Sequence, residues 1–415
     1  MDALNLPPQS AGLRHRVVFY DESAGLRHMA DHLAVEAGLS VSTFFTEHEV
    51  VEHLIERRAD VLVIGGGMQP HGPLDLARRL RDQFPDMVRI LISGYMSPAM
   101  KLRAAELCHR ALPAEITPAE LHTATNAALK VRGLISKPAV RAHVASIGEL
   151  PALPNTYFEL NDLFHSEHAS AREVVATVSK DPALLAKIMQ LVNSAFFGLE
   201  RQIGRIEEAV TLLGTRLIRD LALMTHLYGH LKQADSWKSF SFEQLNLRSM
   251  AVARLARDIA RSAGADRSVQ DHAFLAGLLH DIGIQILVRH DPVAYREVME
   301  RSIELNRPLY AVEKLLLGVH HGEVGACLMG LWNLPAEVVE AILLHHCPNT
   351  SASDGFSALS AVHVADSLLP SVVTALECDL ANRLSDPYLQ RIGMGQELGR
   401  WQLAANQYRL QMVVL

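Results

Sequence analysis

A chain of 415 residues is longer than one hydrophobic core usually serves, so two or three domains are expected, each able to bury its own interior. With 49% hydrophobic and 20% charged residues, 25 Gly and 18 Pro, the composition excludes a mostly disordered or collagen-like chain. The 39 Lys and Arg against 46 Asp and Glu give a formal charge of -7 with no long basic run, so no direct nucleic-acid contact is expected. The segment MDALNLPPQSAGLRHR lacks the apolar core of a signal, and no uninterrupted apolar stretch approaches bilayer-spanning length, which predicts a cytoplasmic protein without membrane contact. Cys108, Cys327, Cys347 and Cys378 form no CxxC pair and read as reduced core thiols.

In chain order, short apolar runs rich in Val and Ile open the sequence: VVFY at 17–20, LSVSTFF at 39–45, VLVIGGG at 61–67, VRILISGY at 88–95 and a weaker run around 108–112. Between them lie stretches such as GPLDLARRLRDQF with apolar residues three and four apart. This βα alternation predicts a parallel sheet with helices on both faces and ligands at the carboxyl ends of the strands. From about Ile135 helical periodicity takes over. SKDP at 179–182 predicts a helix start with Asp181 as cap and Pro182 in the first turn, running to a C-cap at Gly198. Further helices are predicted within EEAVTLLGTRLIRDLALMTHLY, SMAVARLARDIARSAG, HAFLAGLLHDIGIQILV, YREVMERSIEL, AVEKLLLG, EVGACLMGLW, AEVVEAILLHH and SALSAVHVADSLL. The fold class expected is α/β followed by all-α: a domain at 14–133, a helical domain at 138–370 and a helical tail at 371–415 packed on it.

Residues 14–133 resemble a response-regulator receiver domain of (βα)5 flavodoxin-like fold: VVFYDES is similar to the first strand ending in an acidic pair, and ILISGY to the fourth strand ending in Ser or Thr. In that family the acidic pair holds magnesium, an Asp ending the third strand accepts a phosphoryl group, and a Lys before Pro contacts the phosphate. Asp21, Glu22 and Ser93 match three of those places; Gly65 stands at the acceptor's and Leu112 at the lysine's. Neither side chain can do that chemistry, so the domain is identified as a pseudo-receiver. For Asp21 and Glu22 two readings are open, solvated strand-end acids or weak magnesium binding. The glycine run at 65–67 lacks the spacing of a phosphate-binding loop.

Residues 138–370 resemble the HDOD domain, an output module related to HD-type phosphohydrolases, on LPALPNTYFEL, KDP, NSAFFG, EEAVTLLG, HAFLAGLLHDIG, HHGEVGACLMGLWNLPAEVVEAILLHH and AVHVADSLL in the family's order. His280, Asp281, His321, His345, His346 and Asp366 match that pattern, and such groups gathered from several helices can hold iron, manganese, zinc or nickel. Arg248 occupies the place usually held by the first histidine and cannot be a ligand. Three readings follow: a metal-free polar core with Arg248 paired to Asp281 or Asp366, a bound metal without turnover, or a working hydrolase. His272 falls off the His280 direction, His320 is expected to be exposed, and helical geometry separates the adjacent His345 and His346 by about 100 degrees, so both need not enter one site. Trp332 reads as core. Arg201, Arg205, Arg216 and Arg219 read as solvated surface or as contact to an acidic partner or cyclic nucleotide.

The two resemblances imply a bacterial signal-transduction protein, not an enzyme, acting through protein–protein interaction. Partners of that kind are a sensor kinase or enzymes of cyclic di-GMP signalling, and a homodimer is implied by the receiver resemblance. The competing expectation is a metal-dependent phosphohydrolase of nucleotides or cyclic dinucleotides.

Overall fold

The computed structural model describes residues 15–413 except 24, 37–38, 67–71, 85–86, 95–99, 101–102, 105–106, 136, 138–139, 141–142, 145, 148–155, 158, 161–162, 164–169, 194–202, 231–240, 333 and 371–382. The chain divides into two units, 1–133 and 134–415.

In the first unit the apolar runs become strands β1 (Arg16–Tyr20), β2 (Ser40–Phe44), β3 (Val61–Gly65), β4 (Val88–Ser93) and β5 (Arg110–Pro113). They pair parallel in the order β2-β1-β3-β4-β5, with Val17 opposite Val41 and Val61. Because side chains alternate along a strand, each strand feeds two cores. Val17, Phe19, Val61, Val63 and Ile90 pack against helices α1 (Arg27–Glu36) and α4 (Pro118–Leu134) through Met29, Leu33 and Leu121. Val18, Tyr20, Leu62, Ile64 and Leu91 meet α2 (Glu47–Glu56) and α3 (Gly72–Gln83) through Leu54, Leu76 and Leu80. This is the doubly wound fold with the 2-1-3-4-5 order, whose switch point lies between β1 and β3.

The second unit is helical. Its helices are α5 (Ala171–Val178), α6 (Pro182–Val192), α7 (Ile206–Leu213), α8 (Thr215–His230), α9 (Phe242–Ser262), α10 (Arg267–Leu279), α11 (Ile282–His290), α12 (Pro292–Leu305), α13 (Leu309–Leu317), α14 (His321–Leu331), α15 (Ala336–Leu344), α16 (Ala358–Leu368), α17 (Asp386–Arg391) and α18 (Leu398–Val413). Asp181 caps α6 by accepting from the Ala183 and Leu184 amides, with Pro182 in the first turn. That helix ends at Asn193; the Gly198 stop and the rest of NSAFFG lie outside the described residues, as do Gly67 and most of LPALPNTYFEL. Two stretches expected as single helices are each broken, at Gly214 and at His280–Asp281. Residues 267–290 together are long and apolar enough to cross a bilayer, and 94% of that window is buried inside the unit. The buried Trp401 of α18 donates to Ser262 Oγ at 2.9 Å, fixing the last helix to the end of α9. Cys108 and Cys327 are buried, Cys347 is half-buried, and Cys378 lies outside the described residues.

Candidate functional site

At the switch point of the sheet the acidic pocket is closed by its own residues. Asp21 is only 6% exposed, which corrects its reading as a solvated acid. Its Oδ1 accepts from the Ser23 hydroxyl (2.8 Å) and amide (3.1 Å), and its Oδ2 from the Leu26 amide (2.9 Å). A Cβ placed on Gly65 would lie 2.8 Å from Asp21 Cγ and Oδ1, and one on Gly66 would lie 2.8 Å from Ser93 Oγ. The Asp21 side chain therefore takes the space in which a side chain at 65 would stand, and Ser93 does the same at 66. Glu22 is exposed and accepts from Tyr20 Oη at 2.8 Å. Leu112 packs half-buried on the β-sheet core.

In the helical unit, α10 ends at His280 and α11 begins after Asp281, so the two residues form a corner in the most buried part of the bundle. Gly283 lets α11 approach α14: a Cβ there would lie 2.0 Å from the His321 carbonyl oxygen. Arg248, fully buried on α9, reaches this corner. Its Nη2 is 2.7 Å from Asp366 Oδ1 and donates to the Asp366 carbonyl (3.0 Å), Nε donates to the Pro370 carbonyl (3.0 Å), and Nη1 lies 3.5 Å from Asp281 Oδ2. His280 Nε2 is 3.1 Å from Asp281 Oδ2 and 3.4 Å from Asp366 Oδ1, while its Nδ1 donates to the Gly277 carbonyl at 2.8 Å.

The other face of Asp281 meets the remaining histidines. Its Oδ1 is 3.4 Å from His321 Nε2 and 3.9 Å from His345 Nε2, and His346 Nε2 is 2.7 Å from His321 Nε2. His345 Nδ1 donates to the Ile342 carbonyl at 2.7 Å, and Tyr310 stacks on His346 at 4.4 Å. Two residues passed over in the sequence support this arrangement. Glu313 on α13 accepts from His321 Nδ1 (2.7 Å) and its amide (2.8 Å), and Tyr295 on α12 donates to the second Glu313 oxygen (2.5 Å). The signal for Glu313 was an acid set in the apolar run AVEKLLLG, eight residues before His321.

Burial opposes every charge here, and the neighbours decide the outcome. It would lower His280, but Asp281 and Asp366 outweigh it and raise the imidazole to about 10. Burial would raise Asp281 and Asp366, yet His280 beside the first and Arg248 beside the second hold both well below the carboxylate range. His321 is raised against burial by Glu313, which is lowered in return. Burial and neighbouring imidazoles hold His345 down at about 3 and His346 well below its ordinary value. Arg248, His280 and His321 thus lie against Asp366, Asp281 and Glu313, each acid next to a basic group.

One donor of Asp281, His321, His345 and His346 each lies within 4.8 Å of the others, the donor set of one divalent ion. His280 and Asp366 are not in that set, and both lie against Arg248. The cavity beside the four donors measures about 10 Å3, lined by Asp281, His321 and His346 and by Ile284, Leu309 and Tyr310. That is room for about one water.

Three expectations are corrected. His345 and His346 do enter one centre, with ring centroids 3.9 Å apart and one donor of each in the group around Asp281. His320 is not exposed: its side chain is 15% accessible and lies against Glu323 and Tyr310. Arg219 is mostly buried on Asp220, to which it donates at 2.9 and 2.8 Å. Trp332 and His272 are half-buried, and Arg201 lies outside the described residues.

Residues 150–348 match the HDOD domain family. A Treponema pallidum (strain Nichols) protein of uncharacterised function is 28% identical over 200 residues, 48% of this chain and 38% of that one, so the chain matches about two fifths of its relative's length. Among solved structures, an HDOD domain protein of unknown function from Geobacter sulfurreducens aligns with TM-score 0.51 and 21% identity, covering 67% of this chain and 99% of its own. A Marinobacter aquaeolei VT8 protein, provisionally named a signal transduction protein, aligns with TM-score 0.50 and 20% identity over 88% of this chain and 86% of its own. Both show likeness of fold. The chain thus carries a five-stranded α/β unit of 2-1-3-4-5 order ahead of a helical unit that matches the HDOD domain family.

Proposed function

We propose that this is a non-catalytic receiver–HDOD signalling protein in which both reactive centres have become structural, and that it acts through protein–protein interaction. The observation that carries this reading is Arg248, whose guanidinium lies 2.7 Å from Asp366 and 3.5 Å from Asp281, where a cation would otherwise sit. The closure of Asp21 on Gly65 supports the same reading for the first unit, where phosphorylation is replaced by another input. The partners expected are signalling proteins of the cytoplasm, a sensor kinase or enzymes of cyclic di-GMP turnover, with a second copy of the chain as a further contact.

The four donors around Asp281 favour a second reading, a single iron, manganese, zinc or nickel ion. Such an ion would supply a Lewis acid for a bound water. Glu313 and the Ile342 carbonyl already set the His321 and His345 rings with Nε2 inward, as outer partners of metal-bound histidines do. Arg248 and the small cavity oppose turnover at that place, because a phosphoester has no room beside Asp281.

The test is hydrolysis of a nitrophenyl phosphodiester and of cyclic dinucleotides by the full chain, with each of the four metals supplied. No turnover above that of an Asp281→Ala variant is expected. Metal-dependent turnover lost in that variant would overturn the reading.

A further inference from the structure

Around the small cavity of the His–Asp centre, Asp281, Leu309 and His321 are buried, while Pro308, Tyr310 and His346 are half-buried and make its outer wall. Two of these three are fixed. Pro308 stands at the N-cap of α13 with a ring that locks its own backbone, and His346 Nε2 lies 2.7 Å from His321 Nε2 inside the donor group. Tyr310 is the third, and its side chain turns on ordinary single bonds.

Helix α13 places that ring. Tyr310 and Glu313 are three residues apart on it and so share a face. Glu313 accepts from His321 Nδ1 and Tyr310 lies on His346, so one helix face covers two imidazoles of the centre. The two phenols nearby are held differently. Tyr295 is fully buried, and its hydroxyl donates to the Glu313 carboxylate at 2.5 Å, a bond strengthened by charge. Tyr310 stacks on His346 at 4.4 Å and 14 degrees, meets His320 edge-on at 6.2 Å, and has its hydroxyl beside the Cys347 thiol, a weak hydrogen-bonding group. These are soft contacts, and a half-buried ring has solvent to turn into.

We propose that Tyr310 is a door to the His–Asp centre: its ring turns out toward solvent to let small solutes reach His346 and the cavity behind it, and turns back to seal them. The cavity holds about one water, so what passes without wider movement is a water, a hydroxide or a single ion stripped of most of its hydration. The door concerns access alone and stands whether the centre is a structural core or holds a metal.

Carbethoxylation of the full chain by diethyl pyrocarbonate in chelator tests this, with the rate at each histidine read by peptide fragmentation. His48, 81% exposed, is the reference. In the parent, His346 should react about tenfold or more slowly than His48, because the door is mostly shut. Tyr310→Ala should raise the His346 rate about tenfold, and Tyr310→Phe, which keeps the stack, should leave it within about twofold of the parent. Cys327, buried on α14, should stay closed to a thiol reagent in every variant. If Tyr310→Ala exposes it, Tyr310→Leu, which keeps apolar bulk without a flat ring, takes the place of that variant with the same expected rise. The proposal is overturned by a parent whose His346 reacts as fast as His48 or stays unreacted until the chain unfolds. An unchanged rate in the variant without the ring, or a Phe variant as open as that one, overturns it too.

Discussion

Gly65 is missing more than a nucleophile. Its hydrogen leaves the space into which the Asp21 carboxylate turns to bind Ser23 and the Leu26 amide, at the start of α1. Restoring an acceptor by Gly65→Asp would therefore force a side chain to within 2.8 Å of Asp21. The expected result is a loss of about 2 kcal/mol in urea unfolding and no acid-labile label from acetyl phosphate. A variant as stable as the parent and labelled stoichiometrically would show that the pocket reopens. The substitutions at 65, 112 and 248 are legible in the sequence as residues out of place. Where the freed space goes is not, because Asp21 is held by a turn and by the start of a helix that no pattern of spacing specifies. Glu313 is partly legible as an acid within an apolar run, whereas Tyr295 is not, since a phenol looks like a surface group until its helix is packed.

Among the elements, the sheet and its strand order were legible because two-residue alternation and short βα spacing are strong local signals. Helix ends were less so. The runs through Gly214 and through His280–Asp281 stay apolar on both sides of each break, and only a corner in three dimensions separates the helices. The same corner carries the site, so its position on one helix was readable while its geometry was not. One tie between elements is testable by pH. Asp60, ahead of β3, accepts from the Arg16 amide of β1 (2.9 Å) and from Arg132 of α4 (3.0 Å). Burial would raise its carboxyl, but these donors outweigh it and the folded value lies below the ordinary one. The contribution is thus present above the unfolded value of about 3.9 and is lost as pH falls through the lower folded value. Asp60→Asn should cost about 1 kcal/mol at neutral pH, limited by partial exposure, and the difference from the parent should shrink as pH falls below the unfolded value and through the lower folded one. Urea titrations across that range check it, and a difference independent of pH would contradict the assignment.

For the whole molecule, the proposed reading gives both units one theme: each would keep the scaffold of a reactive centre and fill it with its own side chains. In the HDOD unit the filling group is Arg248, and removing one partner of such a buried network leaves uncompensated charge at a cost of about 3–5 kcal/mol. The most direct measurement is thermal unfolding of the parent and of Arg248→His, each with chelator and with manganese or zinc, alongside their metal content. The parent should melt at the same temperature in all conditions and carry no stoichiometric metal. The variant should melt lower in chelator and recover with metal, since a ligand that binds only the folded state stabilises it. A parent that holds near-stoichiometric metal and loses stability in chelator would contradict the account, because Arg248 would then share the centre with a cation it is argued to replace.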